Sequence, residues 1–417
     1  MHPYAVRMTH DPRQPDARNE PVRPSLTPPT FASALAQPRM SQGASIVPAP
    51  APPAAVPVAP RAGRTAPIWL IGVLVLILVG LVGYFLSAIG PAASIIGMLL
   101  AFVPLAAVLF AVRLIDRWEP EPRGILVLAV AWGAVAAVGI TLGVDLLVTL
   151  VLGVDDSPMR DAFSAVVQAP IVEEFAKGLG VYLIFVTARR AFDGPVDGVV
   201  YGALIGAGFA FTENIQYFAI SFIDGGVVDL TTTFFVRGIL SPFAHVMFTS
   251  LTGFALGLAA RRGVSARRAI GPWVLGMLAA MSLHALWNGS AVFGDFFLLY
   301  LTLQVPLFLG CILGVIALRR EEARVTRSRL GDYAAAGWFT PQEVDMLATA
   351  PGRKAALAWA AGLRGDRTGI MKTFIADATA LAAARQRAIT GRDPNARDDE
   401  QVLLARTTAA RAAMFAP

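Results

Sequence analysis

The sequence predicts an all-α polytopic membrane protein, a bundle of about eight transmembrane helices followed by a small helical region. Three observations predict it. Of 417 residues, 55% are hydrophobic and only 15% charged, whereas soluble domains carry roughly a quarter charged residues. Mean hydropathy is +0.59. Apolar stretches long enough to cross a bilayer recur through the middle of the chain, separated by short loops.

Residues 1–66 are polar and rich in proline, most densely from Pro48 to Pro60. Such a segment buries too little apolar surface to fold and reads as a disordered, partly polyproline cytoplasmic tail. It has no early apolar core of the kind a cleavable signal peptide carries. His2 and His10 lie in it and read as solvated side chains.

Residues 67–318 form the predicted transmembrane domain. Its eight apolar segments lie at 67–89, 92–114, 124–153, 163–188, 196–222, 234–260, 270–293 and 296–318. The third is long for one span and is expected to tilt or to end in an interfacial turn. Every second loop is basic, with Arg61 and Arg64, Arg113 and Arg117, Arg189 and Arg190, Arg261 and Arg262, then Arg319 and Arg320. The intervening loops carry one arginine and several aspartates. Alternation of this kind places both termini of a multi-pass membrane protein in the cytoplasm. It also accounts for the net charge of +6 without a nucleic-acid partner. The single cysteine, Cys311, excludes an intrachain disulfide and a cysteine-based metal site.

Residues 319–417 are rich in Ala and Arg with a helical pattern. Thr340-Pro341-Gln342-Glu343 combines an N-cap, a proline at the first helical position and a capping-box acid. Gly352, Gly362, Gly365, Gly369 and Gly391 are expected to punctuate short cytoplasmic helices.

The functional signal lies in the membrane. The fourth segment contains Glu173, Glu174 and Lys177 inside an apolar run. Intramembrane charges are expensive and usually line a wet cavity or a protein interior. Spacings of three and four residues let both glutamates meet the lysine on one helix face. A pair that merely pins helix packing is the alternative. The fifth segment carries Phe209, Glu213, Asn214, Gln216 and Tyr217, after Gly198, Gly202 and Gly206 at the spacing of close helix contact. The sixth carries His245 just after Pro242, which should kink the helix, with Thr249 one turn on. The seventh carries His284 and Asn288, four residues apart on one face. Helix rise places Glu173, Glu213, His245 and His284 each roughly 14–18 Å from the outer end of its span, at one level.

Carboxylates and imidazoles in a low-dielectric pocket suit hydrolysis by an activated water. Histidine and asparagine donors can stabilise an oxyanion. No Gly-x-Ser-x-Gly elbow and no His-Glu-x-x-His helix occurs. If a metal is present, Glu173, Glu213, His245 and His284 supply ordinary zinc-type ligands. Metal-free chemistry and a divalent cofactor both stay open.

In this order, Glu173-Glu174-x-x-Lys177, Phe209-x-x-x-Glu213-Asn214-x-x-Tyr217, His245 and His284-x-x-x-Asn288 resemble the motifs of the PrsW family of bacterial intramembrane proteases. The loop Asp193-Gly194-Pro195-Val196-Asp197-Gly198 is similar to the family's lead-in to its second motif. The resemblance covers roughly residues 95–318 and leaves out both terminal regions. The related CAAX prenyl proteases and bacteriocin-processing enzymes have histidine where this chain has Glu213, so no role carries over at that position. The resemblance implies an endopeptidase acting on a membrane-anchored protein, with a first cut in an anti-sigma factor from the outer side as the family's characterised activity. On the residues, Glu173 is expected to be the general base and Glu174 its support with Lys177. His245 would orient water or bind metal, and Glu213 would hold His245 or add a ligand. His284 and Asn288 would steady the oxyanion, with Asn214 and Tyr217 in support. A proton-coupled transporter or an inactive scaffold could use the same residues, but the two halves show no matching repeats of the kind many transporters have. Oligomeric state is not legible.

Overall fold

The computed structural model describes residues 68–154 and 157–415. The expectation of a disordered tail over 1–66, with His2 and His10, lies outside the described residues. Every described element is helical. The first helices are α1 (Ile68–Tyr84), α2 (Pro91–Ile115), α3 (Arg123–Ala131), α4 (Val138–Leu152), α5 (Pro158–Phe163), α6 (Ala169–Thr187), α7 (Pro195–Phe234) and α8 (Ala244–Arg261). They are followed by α9 (Ile270–Phe293), α10 (Phe296–Leu299), α11 (Val305–Ala335), α12 (Pro341–Leu347), α13 (Ala350–Ala361), α14 (Thr368–Thr390) and α15 (Ala396–Met414).

Among the described residues, six continuous helical stretches are long and apolar enough to cross a membrane. The difference from eight segments has two physical causes. The fourth segment is too polar, since Glu173, Glu174 and Lys177 interrupt it. The fifth and sixth join as one stretch, Pro195–Arg261. That stretch folds back on itself at Gly226, whose φ of 63° and ψ of −145° break the helix. Straight helix would hold Phe218 and Phe234 about 24 Å apart, yet their ring centroids are 5.6 Å apart. Ser221 Oγ also lies 2.8 Å from Thr233 Oγ1 across the reversal. The long third segment is one path, Arg123–Leu152, with a π-helical turn at Trp132–Ala137 between α3 and α4.

α7 is the buried centre of the bundle. Its glycines are where α8 comes closest. A Cβ on Gly198 would lie 2.0 Å from Gly253 O, on Gly202 2.6 Å from Thr249 O, and on Gly206 2.4 Å from His245 O. The small-residue spacing thus sets the backbone of His245 directly against α7. Gly206→Leu is therefore expected to wedge the two helices apart and lower the melting temperature, as overpacking does. Gly83→Leu, which meets nothing within 4 Å, should leave it unchanged.

α11 continues past the last apolar segment to Ala335, and α12–α15 pack with its end around Leu330, Tyr333, Phe374 and Leu381. The capping box forms as predicted, with Glu343 N donating to Thr340 Oγ1 at 3.2 Å and Thr340 N to Glu343 Oε2 at 2.8 Å. Gly362 and Gly391 end helices, whereas Gly352 and Gly369 lie in first turns. This region holds α6 and the connector to α7: Arg392, between α14 and α15, donates from Nη2 to Phe185 O of α6 at 2.7 Å, and Arg387 of α14 pairs with Asp193 of the connector.

One cavity at this end is lined by Glu119, Asp193, Asp197 and Glu322. Burial first, then the neighbouring charges of Asp193, Asp197 and Glu322, push the Glu119 carboxyl well above its ordinary 4.5. The folded state then holds a proton that the unfolded chain has already lost, so stability falls as pH rises above the unfolded value. Melting temperature is expected to decrease as pH rises above the ordinary carboxyl range, and Glu119→Gln to flatten that decrease in a thermal-melting series.

Candidate active site

The site begins where α6 begins. The π-helical turn Ser164–Gln168 precedes it, and Ala169 N donates to Ser164 O. Continuing that pattern, Ala165 O would need the N–H of residue 170, but Pro170 has none. Asn288 Nδ2 supplies the missing donor at 2.8 Å. Asn288 therefore holds the start of α6, one turn before Glu173. Its described hydrogen bond goes there and not to the glutamate–histidine group.

Glu173, Glu174 and Lys177 follow on the inner face of α6, with Glu174 and Lys177 both 0% exposed. Lys177 Nζ lies 3.2 Å from Glu173 Oε2, 2.6 Å from Glu174 Oε1 and 3.1 Å from His245 Nδ1. It also sits 4.0 Å from the ring centre of Phe209, a cation–π contact. Glu174 has two further partners: Oε1 also meets His284 Nδ1 at 3.1 Å and Oε2 accepts from Thr249 Oγ1 at 3.0 Å. Glu173 has fewer partners. Its Oε2 lies 3.9 Å from both His245 Nδ1 and His284 Nε2.

Pro242 places His245. The π-helical turn Phe235–Leu240 ends at Ser241, whose φ of −127° leaves the helix. α8 restarts at Ala244, so His245 sits in its first turn. The interruption leaves carbonyls to satisfy inside the membrane. Ser241 Oγ donates to Val236 O at 2.7 Å and Tyr300 Oη to Leu240 O at 2.9 Å. His245 Nε2 meets Glu213 Oε2 at 2.8 Å. The two imidazole centroids are 5.1 Å apart, and His284 stacks on Phe248 at 4.7 Å.

Glu173, Glu213, His245 and His284 thus come together from α6, α7, α8 and α9. Sequence reasoning missed Arg237. It ion-pairs with Glu213, donates from Nε to Asn214 Oδ1 at 2.8 Å and covers the Tyr217 ring at 3.9 Å. Its position near the outer end of a predicted span reads as an interfacial arginine. The available signal was spacing across the Gly225-Gly226 reversal, which returns residue 237 beside 213–217.

The residues that could hold a metal are Glu173, Glu174, His245 and His284, each offering one ligand atom within 4.8 Å of the others. Glu174 takes the place the sequence reading gave Glu213, which turns instead to His245 Nε2 and Arg237. Two buried carboxylates and two imidazoles suit a divalent ion such as zinc. The Lys177 ammonium draws on three of the same four residues.

Residues 121–311 match the model of a family described as PrsW family intramembrane metalloprotease, a narrower range than the motifs alone suggest. The Protease PrsW of Geobacillus kaustophilus is 30% identical over 156 residues, covering 37% of this chain and 63% of that protein. The Protease PrsW of Clostridioides difficile gives the same 30% over 156 residues, 37% and 63%. That of Oceanobacillus iheyensis is 28% identical over 133 residues, 32% of this chain and 55% of that protein. The chain therefore spans less than two thirds of the length of these relatives. No solved structure matches it.

Proposed function

We propose, from this likeness over residues 121–311 and from the site geometry, that the protein is an intramembrane endopeptidase. Its substrates are membrane-anchored proteins, an anti-sigma factor among the candidates. The carrying observation is that Glu173 Oε2 stands 3.9 Å from both His245 Nδ1 and His284 Nε2. Basic loops support cytoplasmic termini in a bacterial-type cell membrane, with the site in the outer half.

The assignment of roles follows from who is already bonded. Glu174 already meets Lys177, His284 and Thr249 and orients His284. If Nδ1 of His284 donates to Glu174, its Nε2 is a bare acceptor facing Glu173. One water donating to both fits that separation. Glu173 takes a proton from this water as its oxygen attacks the scissile carbonyl carbon. The same proton passes to the amide nitrogen as the C–N bond breaks, releasing an amine and a carboxylic acid, whose proton then passes to the amine to leave an ammonium and a carboxylate. Asn288 acts through α6, by fixing its first turn. A divalent ion held by Glu173, Glu174, His245 and His284 would supply Lewis-acid polarisation of water or carbonyl.

The test uses the full chain in liposomes with single-pass candidate substrates tagged at both ends. Paired fragments are expected. Intact substrate together with proton-linked solute flux would replace this reading with the transporter.

A further inference from the structure

We infer that Arg237 is a positioning residue for this reaction: it locks Glu213 so that Glu213 fixes the tautomer of His245. The inference rests on the protease reading for its kinetic consequences and on geometry for the rest. Nothing in the motif pattern assigns position 237 a role.

Three contacts immobilise the guanidinium on one face of α7. They are the ion pair with Glu213, the 2.8 Å bond from Nε to Asn214 Oδ1 and the 3.9 Å stack on Tyr217. Arginine's planar fork matches this combination, whereas lysine offers only a point charge. The backbone beneath it is a π-helical turn, Phe235–Leu240, a form that recurs at functional sites.

The consequence passes through one oxygen. Glu213 Oε2 meets both Arg237 and, at 2.8 Å, His245 Nε2. An ionised carboxylate only accepts. Nε2 must therefore donate, and in a neutral imidazole Nδ1 is then bare. That assignment agrees with the other end of the ring, where Nδ1 lies 3.1 Å from the Lys177 ammonium, which only donates. Both ends of His245 thus demand the same tautomer, and the bare nitrogen faces Glu173. Without the guanidinium, Glu213 is free to turn towards other donors. Both the direction and the tautomer of His245 then lose their anchor.

The test compares the parent with Arg237→Gln and Arg237→Lys in full-length protein in nanodiscs, with 15N-labelled histidine. The parent should show His245 protonated at Nε2, and the Gln variant a mixture of tautomers. On a single-pass reporter, Arg237→Gln should lower kcat about 100-fold with KM within about threefold, since no substrate contact is removed. Arg237→Lys keeps the charge but loses the fork, and its kcat should fall only about tenfold. A folded Gln variant with the parent's tautomer and kcat overturns the inference. If that variant does not fold, the Lys variant decides, and parental kcat in it overturns the inference equally. A parent that cleaves no reporter defeats the protease reading, and the imidazole signals alone then decide the role of Arg237.

Discussion

Glu173→Gln is expected to lower turnover by about 10²–10⁴-fold, the range typical of a lost general base, with little change in folding. Glutamine keeps the shape of the side chain and can still accept from Lys177 Nζ, 3.2 Å away. It cannot take a proton from water. Glu174→Gln should behave differently. Glu174 accepts from Lys177, His284 and Thr249, so its loss should lower both melting temperature and turnover. Cleavage rates and thermal melts of the two variants separate the roles. A Glu173→Gln enzyme with parental turnover, beside an inactive and fully stable Glu174→Gln, would reverse the assignment.

Lys177→Met is expected to be the most destabilising change at the site. Its ammonium is fully buried and is the nearest positive group to both glutamates. Removing one partner of a buried ion pair costs about 3–5 kcal/mol, because an uncompensated charge remains. Here two like charges remain. Lys177→Arg should not restore stability, since a planar guanidinium needs room that the packed space beside Phe209 does not provide. Combining Lys177→Met with Glu174→Gln removes one stranded charge and should recover part of the loss. A Lys177→Met protein as stable as the parent would mean that another cation neutralises the glutamates. Elemental analysis of the purified protein identifies such an ion directly.

Much of this site was legible because helical geometry is regular. Spacing alone brought Glu173, Glu174 and Lys177 onto one face. Constant rise per residue put four polar groups at one depth, and the structure brings those groups into contact. Gly198, Gly202 and Gly206 announced a close helix neighbour, though the sequence did not say that the neighbour is the backbone from Thr249 to Gly253 and at His245. What escaped the reading depends on irregular backbone. Arg237 reaches Glu213 only because Gly226 reverses the chain. Asn288 turns to Ala165 only because the π-helical turn Ser164–Gln168 is followed by Pro170, which has no N–H to offer. The choice between Glu174 and Glu213 beside the imidazoles likewise depends on side-chain direction, which linear spacing does not carry.

An experimental density map of the protein in lipid would show whether Glu173 and the two histidines meet. The Glu173 carboxylate is expected about 4 Å from a nitrogen of each intramembrane imidazole, with Lys177 bridging to Glu174. Density showing lipid or packed carbon between Glu173 and both histidines would contradict it.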